Sequence, residues 1–369
     1  MAHPLDEYPI HQAPVSMRYF DTSDRNVYDR CIMHCFRRDG EVELITGLGV
    51  YPHLGVTDAY ATVRRGRRQW ALRASDALGD DRMGQRVGPI RFEVVEPLRR
   101  IRAICEGDAH GLAFDLTWDA ASPPIDEPRH VQRSGNKIIL DGCRFCQVGA
   151  WSGVVRVDGE GLAVDDREWT GTRDRSWGIR PVGEPEPAGR PVEEGGGFWW
   201  IWAPLRFDDF AVMVLAQERA DGYRTMNDAV RIWPADTGRS PEQLGWPEFE
   251  IGYRSGTRYP ERATIHLTQR GGKPLTLEVE TRGSIALNIG AGYGGDPDWA
   301  HGMWKGEGWV DAQTYDLDAP EVAARAPFGV VDHVARATFD GAEGHGIFEH
   351  ASIGRHDPSG FADLSSVAP

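Results

Sequence analysis

The sequence predicts an all-β protein of two antiparallel, internally duplicated β-domains, and three observations lead to this fold class. Apolar and polar residues alternate with a period of two along many short segments, which is the pattern of half-buried strands. Asp-Gly and Gly-Gly pairs, which favour tight hairpin turns, separate these segments. The 369 residues include 44 Gly, 24 Pro and 13 Trp, a composition that suits many turns around a large apolar cavity.

Strand alternation is clearest in three segments, which we expect to be antiparallel strands with one face in water. They are GLAFDLTWD at residues 111–119, ATIHLTQR at 263–270 and LTLEVETR at 275–282. Hairpin turns are predicted at Asp158-Gly159, Asp221-Gly222, Gly271-Gly272 and Asp340-Gly341. Helices should be few and short, and the candidates are residues 241–244 and 320–325.

A linker divides the chain into nearly equal halves. The stretch at 181–197, PVGEPEPAGRPVEEGGG, is rich in Pro, Gly and Glu and has no hydrophobic periodicity, which is typical of an extended, solvated connection. We therefore predict an N-terminal β-domain over residues 1–182, a linker over 183–197 and a C-terminal β-domain over 198–369.

The two halves also end alike, which suggests a duplicated β-domain. Each has a hairpin Asp-Gly pair thirteen or fourteen residues before a Gly-x-x-Asp-x-Ser element. The elements are Gly171, Asp174 and Ser176 in the first half, and Gly354, Asp357 and Ser359 in the second.

The net charge of −15 argues against a nucleic-acid partner, because a phosphate-binding surface needs a cationic field. No apolar run approaches the length of a membrane span. The opening MAHPLDEYPIHQAP is mixed and polar, without the basic and apolar regions of a signal peptide. We therefore expect a cytoplasmic protein whose partner is an apolar small molecule, with a homodimer as an open option.

Five cysteines, an odd number, are too few for a disulfide framework in a chain of this length. Cys31 and Cys35 form one pair in sequence, and Cys143 and Cys146 form another. A four-cysteine zinc site is one interpretation. Small buried apolar residues in strands are the favoured one, because structural zinc usually joins tight turns.

Motifs for phosphate, dinucleotide or zinc binding, and the elbow of a serine nucleophile, are absent from the sequence. We accordingly expect no cofactor and no metal. The glycine-rich GYGGDPDWAHG at 292–302 is not followed by a helix that could receive a phosphate. It is better interpreted as a mobile loop in which Trp299, His301 and Trp304 could form a lid.

The stretch GTRDRSWGIRP at 171–181 is the strongest functional signal. In an extended strand Asp174 shares a face with Thr172 and Ser176, while Arg173, Arg175 and Trp177 project from the other. If Asp174 points into an apolar cavity, burial raises its pKa and it can deliver a proton to substrate. Alternatively, it belongs to a buried ion-pair cluster in which the adjacent arginines lower its pKa.

Further site candidates come from aromatic and ionisable residues in strands and loops. Glu349 and His350 are adjacent in one predicted strand and therefore face opposite ways, so either could be an acid-base partner. Candidate substrate contacts are Tyr51, His53, Trp151, Trp177, Trp200, Trp202, His301 and Trp304. For the turn at YPHLGVTDAY, and for most strand tryptophans, a structural role is the ordinary explanation.

The sequence resembles the superfamily of carotenoid 1,2-hydratases and AttH-like proteins. The resemblance rests on GTRDRSWGIRP, on QVGAWSGVVRVDG at 147–159 and on GIFEHASIGRHDPSG at 346–360, with Arg-Asp-x-Ser-Trp-Gly as the most specific element. It implies two lipocalin-like β-barrels or sandwiches. It also implies cofactor-independent chemistry on a large apolar substrate near the domain junction, with Asp174 as the expected proton donor.

These expectations give two functional hypotheses. The first is a hydratase or dehydratase, an isomerase or a cyclase that acts by proton transfer on a terpenoid or polycyclic substrate. The second is a non-catalytic carrier of a hydrophobic small molecule. A carrier predicts an apolar cavity without ionisable groups, whereas an enzyme predicts at least one poorly solvated carboxyl or imidazole group there.

Overall fold

A computed structural model describes residues 2–187, 197–269 and 271–369. Within these residues the fold is all-β, as the sequence predicts, and a single short α-helix is present, α1 (Pro320–Ala323). Short 3-10 helices lie at Pro4–Glu7, Asp108–His110, Ala235–Thr237 and Ala326–Phe328.

The strands of the first half are β1 (Val27–Arg37), β2 (Val42–Tyr51), β3 (Val56–Arg65), β4 (Arg68–Ala77), β5 (Arg86–Val87), β6 (Ile90–Glu96), β7 (Arg100–Cys105), β8 (Leu112–Ala120), β9 (Ile125–Asp126), β10 (His130–Ser134), β11 (Lys137–Val157), β12 (Glu160–Val164) and β13 (Trp169–Ile179). Those of the second half are β14 (Gly197–Phe207), β15 (Ala211–Glu218), β16 (Arg224–Ile232), β17 (Glu242–Gln243), β18 (Trp246–Tyr253), β19 (Pro260–Thr268), β20 (Leu275–Ala286), β21 (Trp309–Asp316), β22 (Val331–Phe339) and β23 (Ala342–Gly354).

These strands form two antiparallel sheets with the same arrangement at their centres. The first sheet runs β21-β4-β3-β2-β1-β13-β11-β8-β7-β6-β5, and β9, β10 and β12 pair with β11. The second runs β17-β16-β15-β14-β23-β22-β20-β19-β18. In each sheet the first strand of that half lies between the second strand and the last, as expected for a duplicated domain.

The final hairpin of each half turns at the predicted Asp-Gly pair. Asp158 and Gly159 have φ of 48° and 80°, and Asp340 and Gly341 have φ of 53° and 81°. Positive φ at both central residues is the geometry that favours Asp-Gly in two-residue hairpins. The three segments with clear alternation are strands, in β8, β19 and β20.

One strand of the second half joins the first sheet. β21 pairs antiparallel with β4 along its whole length, from Trp309 opposite Ser75 to Asp316 opposite Arg68. Arg73 of β4 is fully buried and forms ion pairs with Asp311 of β21 and with Asp298 in the preceding loop, at 3.0 Å from the latter. The segment 287–308 is thereby held across the junction of the two sheets.

The two sheets share apolar packing as well as having cores of their own. Phe36 and Val148 of the first sheet pack with Trp202 and Ile347 of the second in one cluster. A second mixed cluster joins Ile32, Ile45 and Tyr60 to Ile285, Leu287 and Trp299. The junction therefore buries apolar residues from both halves, and burial of this kind stabilises association.

Two sequence predictions about local structure have different outcomes. The helix predicted at 241–244 is wrong: Glu242 and Gln243 form β17, which pairs with Val230 and Arg231 of β16, and the Arg231–Glu242 ion pair of 2.6 Å fixes this pairing. A helix does begin at Pro320. Of the predicted linker, residues 188–196 lie outside the described residues.

All five cysteines are free thiols. Cys31, Cys35, Cys105 and Cys146 are buried, Cys143 is exposed, and none is in a disulfide. Across the described ranges no group of three or more His, Cys, Asp or Glu side chains has the arrangement of a metal site. The helices in the same ranges include none with the length and apolarity that a membrane crossing would require.

Candidate active site

A cavity lies at the junction of the two sheets, between central strands of both. It has a volume of about 130 Å³, and its walls include side chains of β1, β11 and β13 on one side and of β14, β22 and β23 on the other. A larger vestibule of about 640 Å³ adjoins it. The two spaces share the lining residues Arg30, Arg180, Phe198, Tyr293 and Val330. These residues, which we call the throat, form the entrance to the inner cavity.

Asp174 lines the inner cavity from the middle of β13. It lies opposite Ile32 of β1 and Cys146 of β11, and 6% of its surface is exposed. Within the described ranges its carboxyl group has no ion-pair partner within 4.0 Å. Burial raises its pKa to about 6, against the opposing charge of Arg144, because desolvation penalises the ionised form.

The neighbouring residues of the motif face away from this cavity. Arg173 donates a hydrogen bond from Nε to Oε1 of Gln147 at 2.9 Å, and Arg175 forms an ion pair of 2.9 Å with Asp29. Trp177 is 43% exposed. The two arginines that could have formed an ion-pair cluster with Asp174 are thus engaged on the opposite side of the strand.

Both glycines of GTRDRSWG are required by close approaches of the chain. A Cβ atom at Gly171 would lie 2.0 Å from the carbonyl oxygen of His34 and 2.4 Å from Nε1 of Trp151. The Trp151 indole occupies this space and donates a hydrogen bond of 2.7 Å to the same carbonyl oxygen. Gly178 has φ of +137°, and a Cβ there would lie 2.1 Å from the Asp141 carbonyl oxygen. The first glycine therefore leaves room for the indole that binds the backbone of His34, whose side chain lines the cavity.

A second pair of acids faces the cavity from the other sheet. Glu349 of β23 lies directly opposite Asp332 of β22, and both line the cavity. Burial raises the pKa of each carboxyl group, and the adjacent Asp332 raises that of Glu349 further. The indole of Trp200 donates a hydrogen bond to Glu349. Ionising both adjacent carboxyl groups is unfavourable because the two negative charges repel each other. The pair therefore retains a proton at neutral pH.

His34 of β1 connects this pair to the first sheet. Its Nε2 atom lies 2.9 Å from Oδ2 of Asp332, and its Nδ1 lies 3.0 Å from the hydroxyl oxygen of Thr172. Burial lowers the pKa of His34 to about 4, so the ring is neutral near pH 7. Since a carboxylate only accepts, the proton is assigned to Nε2, and Thr172 donates to Nδ1.

The two sheets contribute these acids at equivalent positions. Asp174 lies opposite Ile32, the sixth residue of β1. Glu349 lies opposite Trp202, the sixth residue of β14. In each half, the last strand therefore has a carboxyl group opposite the sixth residue of the first strand. Both carboxyl groups face the shared cavity. The repeated Gly-x-x-Asp-x-Ser element does not identify Glu349 as the equivalent of Asp174. Its second aspartate, Asp357, follows the end of β23 and is exposed.

His350, the other candidate in β23, projects to the opposite side of the strand. It is buried against Trp199 and Tyr253, with Nδ1 2.8 Å from the Trp200 carbonyl oxygen. Burial lowers the pKa of His350 to about 3. The structure therefore brings Asp174 and Glu349 to one cavity and leaves His350 in the interior of the second half.

The predicted substrate contacts are spread over several environments. Trp200 lines the inner cavity and His301 lines the vestibule. Trp202 is buried between the sheets and donates to Glu127 at 2.7 Å. Tyr51 is buried and donates to Asp58 at 3.0 Å. The others are away from both spaces: Trp151 is buried in the first core, and His53, Trp177 and Trp304 are exposed.

Several cavity residues were not singled out from the sequence. They are Arg30, His34, Arg144, Arg180, Tyr293 and Asp332. For His34 and Asp332 a signal was present, because each is an ionisable residue within an otherwise apolar strand, MHCF or VVDHVA. A charge in such a position is rarely buried without a partner or a function.

The model of one protein family matches residues 2–362, and it is described as a family of unknown function, DUF8625. Among the curated proteins no match was found. Solved structures of similar fold include kievitone hydratase from Nectria haematococca, with 12% identity, a TM-score of 0.50 and coverage of 87% of this chain and 88% of that one.

Two further neighbours have the same fold. A Nitrosomonas europaea protein provisionally described as AttH has 14% identity and a TM-score of 0.53, and the match covers 93% of this chain and 98% of that one. CghA, which was also solved with Sch210972, has 9% identity and a TM-score of 0.50, with coverage of 91% and 90%. These matches bear out the two-domain lipocalin-type architecture that the sequence predicts.

Proposed function

The chain belongs to a family of unknown function, DUF8625, and we propose that it is a cofactor-independent enzyme that acts by proton transfer. The reaction class is hydration or dehydration, isomerisation or cyclisation of an apolar, polycyclic or terpenoid substrate. The observation that carries the proposal is the convergence of Asp174, Asp332 and Glu349 with a neutral His34 on one buried cavity. Buried carboxyl groups with raised pKa values are the usual acids and bases of such reactions.

The electrostatics favour particular roles for the two central acids. Glu349 has its pKa raised both by burial and by Asp332, so it holds a proton at neutral pH and is the better general acid. The pKa of Asp174 is about 6, so it is mostly ionised there and suits a base. These roles differ from the sequence expectation, in which Asp174 is the donor.

A hydration can be written with these groups alone. Glu349 gives its proton to one carbon of an alkene, and the adjacent carbon becomes electron-deficient. The oxygen of a water molecule attacks that carbon, and Asp174 takes the proton that the water loses. His34 donates from Nε2 to Asp332, and this hydrogen bond favours the ionised form of that carboxyl group beside Glu349. After hydration, the proton returns from Asp174 to Glu349. Dehydration is the reverse sequence, and for it a proton first moves from Glu349 to Asp174.

The likeness in fold to kievitone hydratase supports testing kievitone first. Kievitone is incubated with the purified protein in deuterium oxide, and deuterium incorporation is followed by mass spectrometry. Mass spectrometry of whatever co-purifies with the protein supplies further probe substrates. Protein that binds an apolar ligand without exchanging or converting it would favour the carrier.

Variants then test the assigned roles on any substrate that is turned over. Asp174→Asn and Glu349→Gln keep the side-chain shape but remove proton transfer, and we expect each to reduce kcat by about 10²-fold or more. Asp228→Asn is the matched control, since Asp228 is half-buried and also has a pKa raised by burial, but it is outside the cavity lining. Near-normal turnover by folded Asp174→Asn and Glu349→Gln would overturn the proposal.

A further inference from the structure

Two arginines of the throat stand apart from the other cations near the cavity. Arg30, on β1, and Arg180, directly after β13, line both the inner cavity and the vestibule. A substrate that enters the inner cavity from the vestibule passes the throat, which includes both arginines. The charges and contacts around these two arginines therefore affect which substrates can enter the inner cavity.

Among the described residues, neither guanidinium group has a carboxylate within ion-pair distance. Arg30 is 2% exposed, donates from Nη2 to the Tyr293 hydroxyl at 3.2 Å and has a buried Nε without a partner. Throughout residues 2–187, 197–269 and 271–369, neither Arg30 nor Arg180 lies within 4.0 Å of a carboxylate. By contrast, Arg144 in the same cavity forms a 2.6 Å ion pair with Glu127.

Two tyrosine rings hold the arginines in place. The Arg30 guanidinium carbon lies 5.0 Å from the Tyr293 ring centre and 6.0 Å from that of Tyr28. The Arg180 carbon lies 5.8 Å and 5.6 Å from the same two rings. Cation–π contacts of this kind orient a guanidinium group but leave its N–H groups available to an acceptor.

Two neighbouring cations without a nearby carboxylate lower the stability of the folded protein in this position. Burying a charge without a counter-charge is unfavourable, and burial together with the charge of Arg30 lowers the pKa of Arg180. A bound anion would relieve both penalties, and guanidinium groups match the geometry of carboxylate oxygens.

We propose that the throat binds an anionic oxygen group, such as a carboxylate, so that the substrate is an apolar acid anchored by Arg30 and Arg180. The anchored group sits at the throat, and the rest of the molecule reaches the acids of the inner cavity. This inference rests on the proposed function, because it names the substrate class of the same cavity.

The test compares two probes that differ in charge. Binding of 1-naphthylacetate and of the neutral 1-naphthylacetamide is measured by calorimetry near pH 7.5. We expect the wild-type protein to bind the carboxylate at least about tenfold more tightly than the amide, since charge-assisted hydrogen bonds are the stronger kind. Equal binding of the two probes would overturn the inference without any variant.

Variants locate the preference. Arg180 is half-buried at a strand end, so Arg180→Met should fold, and we expect it to bind the carboxylate about tenfold more weakly while binding the amide nearly as before. Arg25→Met is the matched control on the vestibule wall, because Arg25 donates to the Val182 carbonyl at 3.2 Å and lies 4.0 Å from Glu186. Equal losses in the two variants would indicate a general charge effect and contradict the assignment.

Two further measurements separate the alternatives. Inorganic phosphate should compete only weakly with 1-naphthylacetate for the throat. If phosphate bound as tightly as 1-naphthylacetate, the throat would be a simple anion site, and the claim about an apolar acid would be overturned. Asp174→Asn should keep the preference for the carboxylate. If the preference for the carboxylate persists but turnover does not depend on Asp174, the anion site is supported and the proposed function is rejected. If the preference is absent but turnover depends on Asp174, only the anion site is rejected.

Discussion

At the scale of single residues, the environment of Asp174 explains why it is a better candidate than its sequence neighbours. Alternation along β13 sends Arg173 and Arg175 to the other face, where Gln147 and Asp29 bind them. Asp174 is left in a cavity without an ion-pair partner among the described residues. Its raised pKa follows from burial.

The raised pKa of Asp174 predicts how stability depends on pH. The carboxyl group titrates at about 6 in the folded protein and at 3.8 in the reference state. Its contribution to stability is therefore fully present below pH 3.8 and is lost as pH rises through about 6, a total of about 3 kcal/mol. Asp174→Asn should gain up to about 3 kcal/mol over wild type between pH 4 and pH 7, measured by urea unfolding.

A stability difference between wild type and Asp174→Asn that does not change with pH would contradict a buried, ionising Asp174. Asp228→Asn is again the control. Burial raises its pKa and a backbone hydrogen bond opposes the rise. Because Asp228 is only half-buried, a smaller pH-dependent difference is expected.

The proposed roles also predict a bell-shaped pH profile for kcat/KM. Activity should fall as pH drops below about 6, because Asp174 must be ionised to act as the base. It should fall again at high pH, where Glu349 loses the proton that it donates, in a range raised by burial and by Asp332. Initial rates over a pH series measure both limbs. An acid limb that is unchanged in residual activity of Asp174→Asn would assign that limb to another group.

At the scale of elements, close approaches between strands determine which residues β13 can contain. Gly171 admits the Trp151 indole, and that indole donates to the carbonyl group of His34. The Trp151 ring therefore couples Gly171 of the motif to the strand segment that bears the imidazole in the cavity.

We expect Gly171→Ala to destabilise the protein by about 3 kcal/mol, because its Cβ would overlap both the His34 carbonyl and the Trp151 indole. Gly79→Ala is the matched control, since a Cβ there meets nothing within 4 Å. Thermal or urea unfolding of the two variants measures the difference. Equal stability of both variants would show that β13 can shift away from Trp151 at little cost.

The contact between β21 and β4 gives another element-scale prediction. Arg73 is fully buried between Asp298, Asp311 and the rings of Trp299 and Trp309. Arg73→Ala removes this packing and both ion pairs, and we expect a loss of about 3 kcal/mol in the free energy of unfolding.

The control for Arg73→Ala is Arg102→Ala, which removes a well-formed ion pair with Asp115 that is about half exposed. Solvent screens that pair, so its loss should destabilise the protein clearly less than the loss of Arg73. Comparable losses in the two variants would mean that burial does not distinguish them.

At the scale of the whole molecule, the cavity exists because two duplicated sheets pack face to face. Apolar clusters contain residues of both halves, and β21 of the second half completes the edge of the first sheet. The acids at matching registers reach one cavity as a consequence of this packing.

Shared packing predicts that the two halves unfold together. Differential scanning calorimetry of the full chain should give one transition, with calorimetric and van't Hoff enthalpies in agreement. Two well-separated transitions would show that each sheet is stable by itself and that the junction contributes little to stability.

The sequence predicted the secondary structure well because alternation and turn residues are local signals. β8, β19, β20 and the two Asp-Gly hairpins are where the pattern placed them. The pattern failed at residues 241–244, where pairing of Glu242 with Arg231 outweighed a weak helix signal.

The site was predicted in part. Asp174 and Glu349 were singled out by strand alternation and motif, and the structure places both at the cavity. Asp332 and His34 were missed, and His350 was included although it faces away. A single strand shows which residues share a face but does not show which of its two faces meets the cavity.

The sequence by itself determined the strands, their turns and the division of β13 into two faces, because these depend on neighbours a few residues away. Only the tertiary structure decided that Asp174, His34, Asp332 and Glu349 share one cavity. His34 and Asp332 are 298 residues apart in the chain, and their contact depends on how two sheets pack. That packing depends on the fit of apolar surfaces from both halves, which no local pattern encodes.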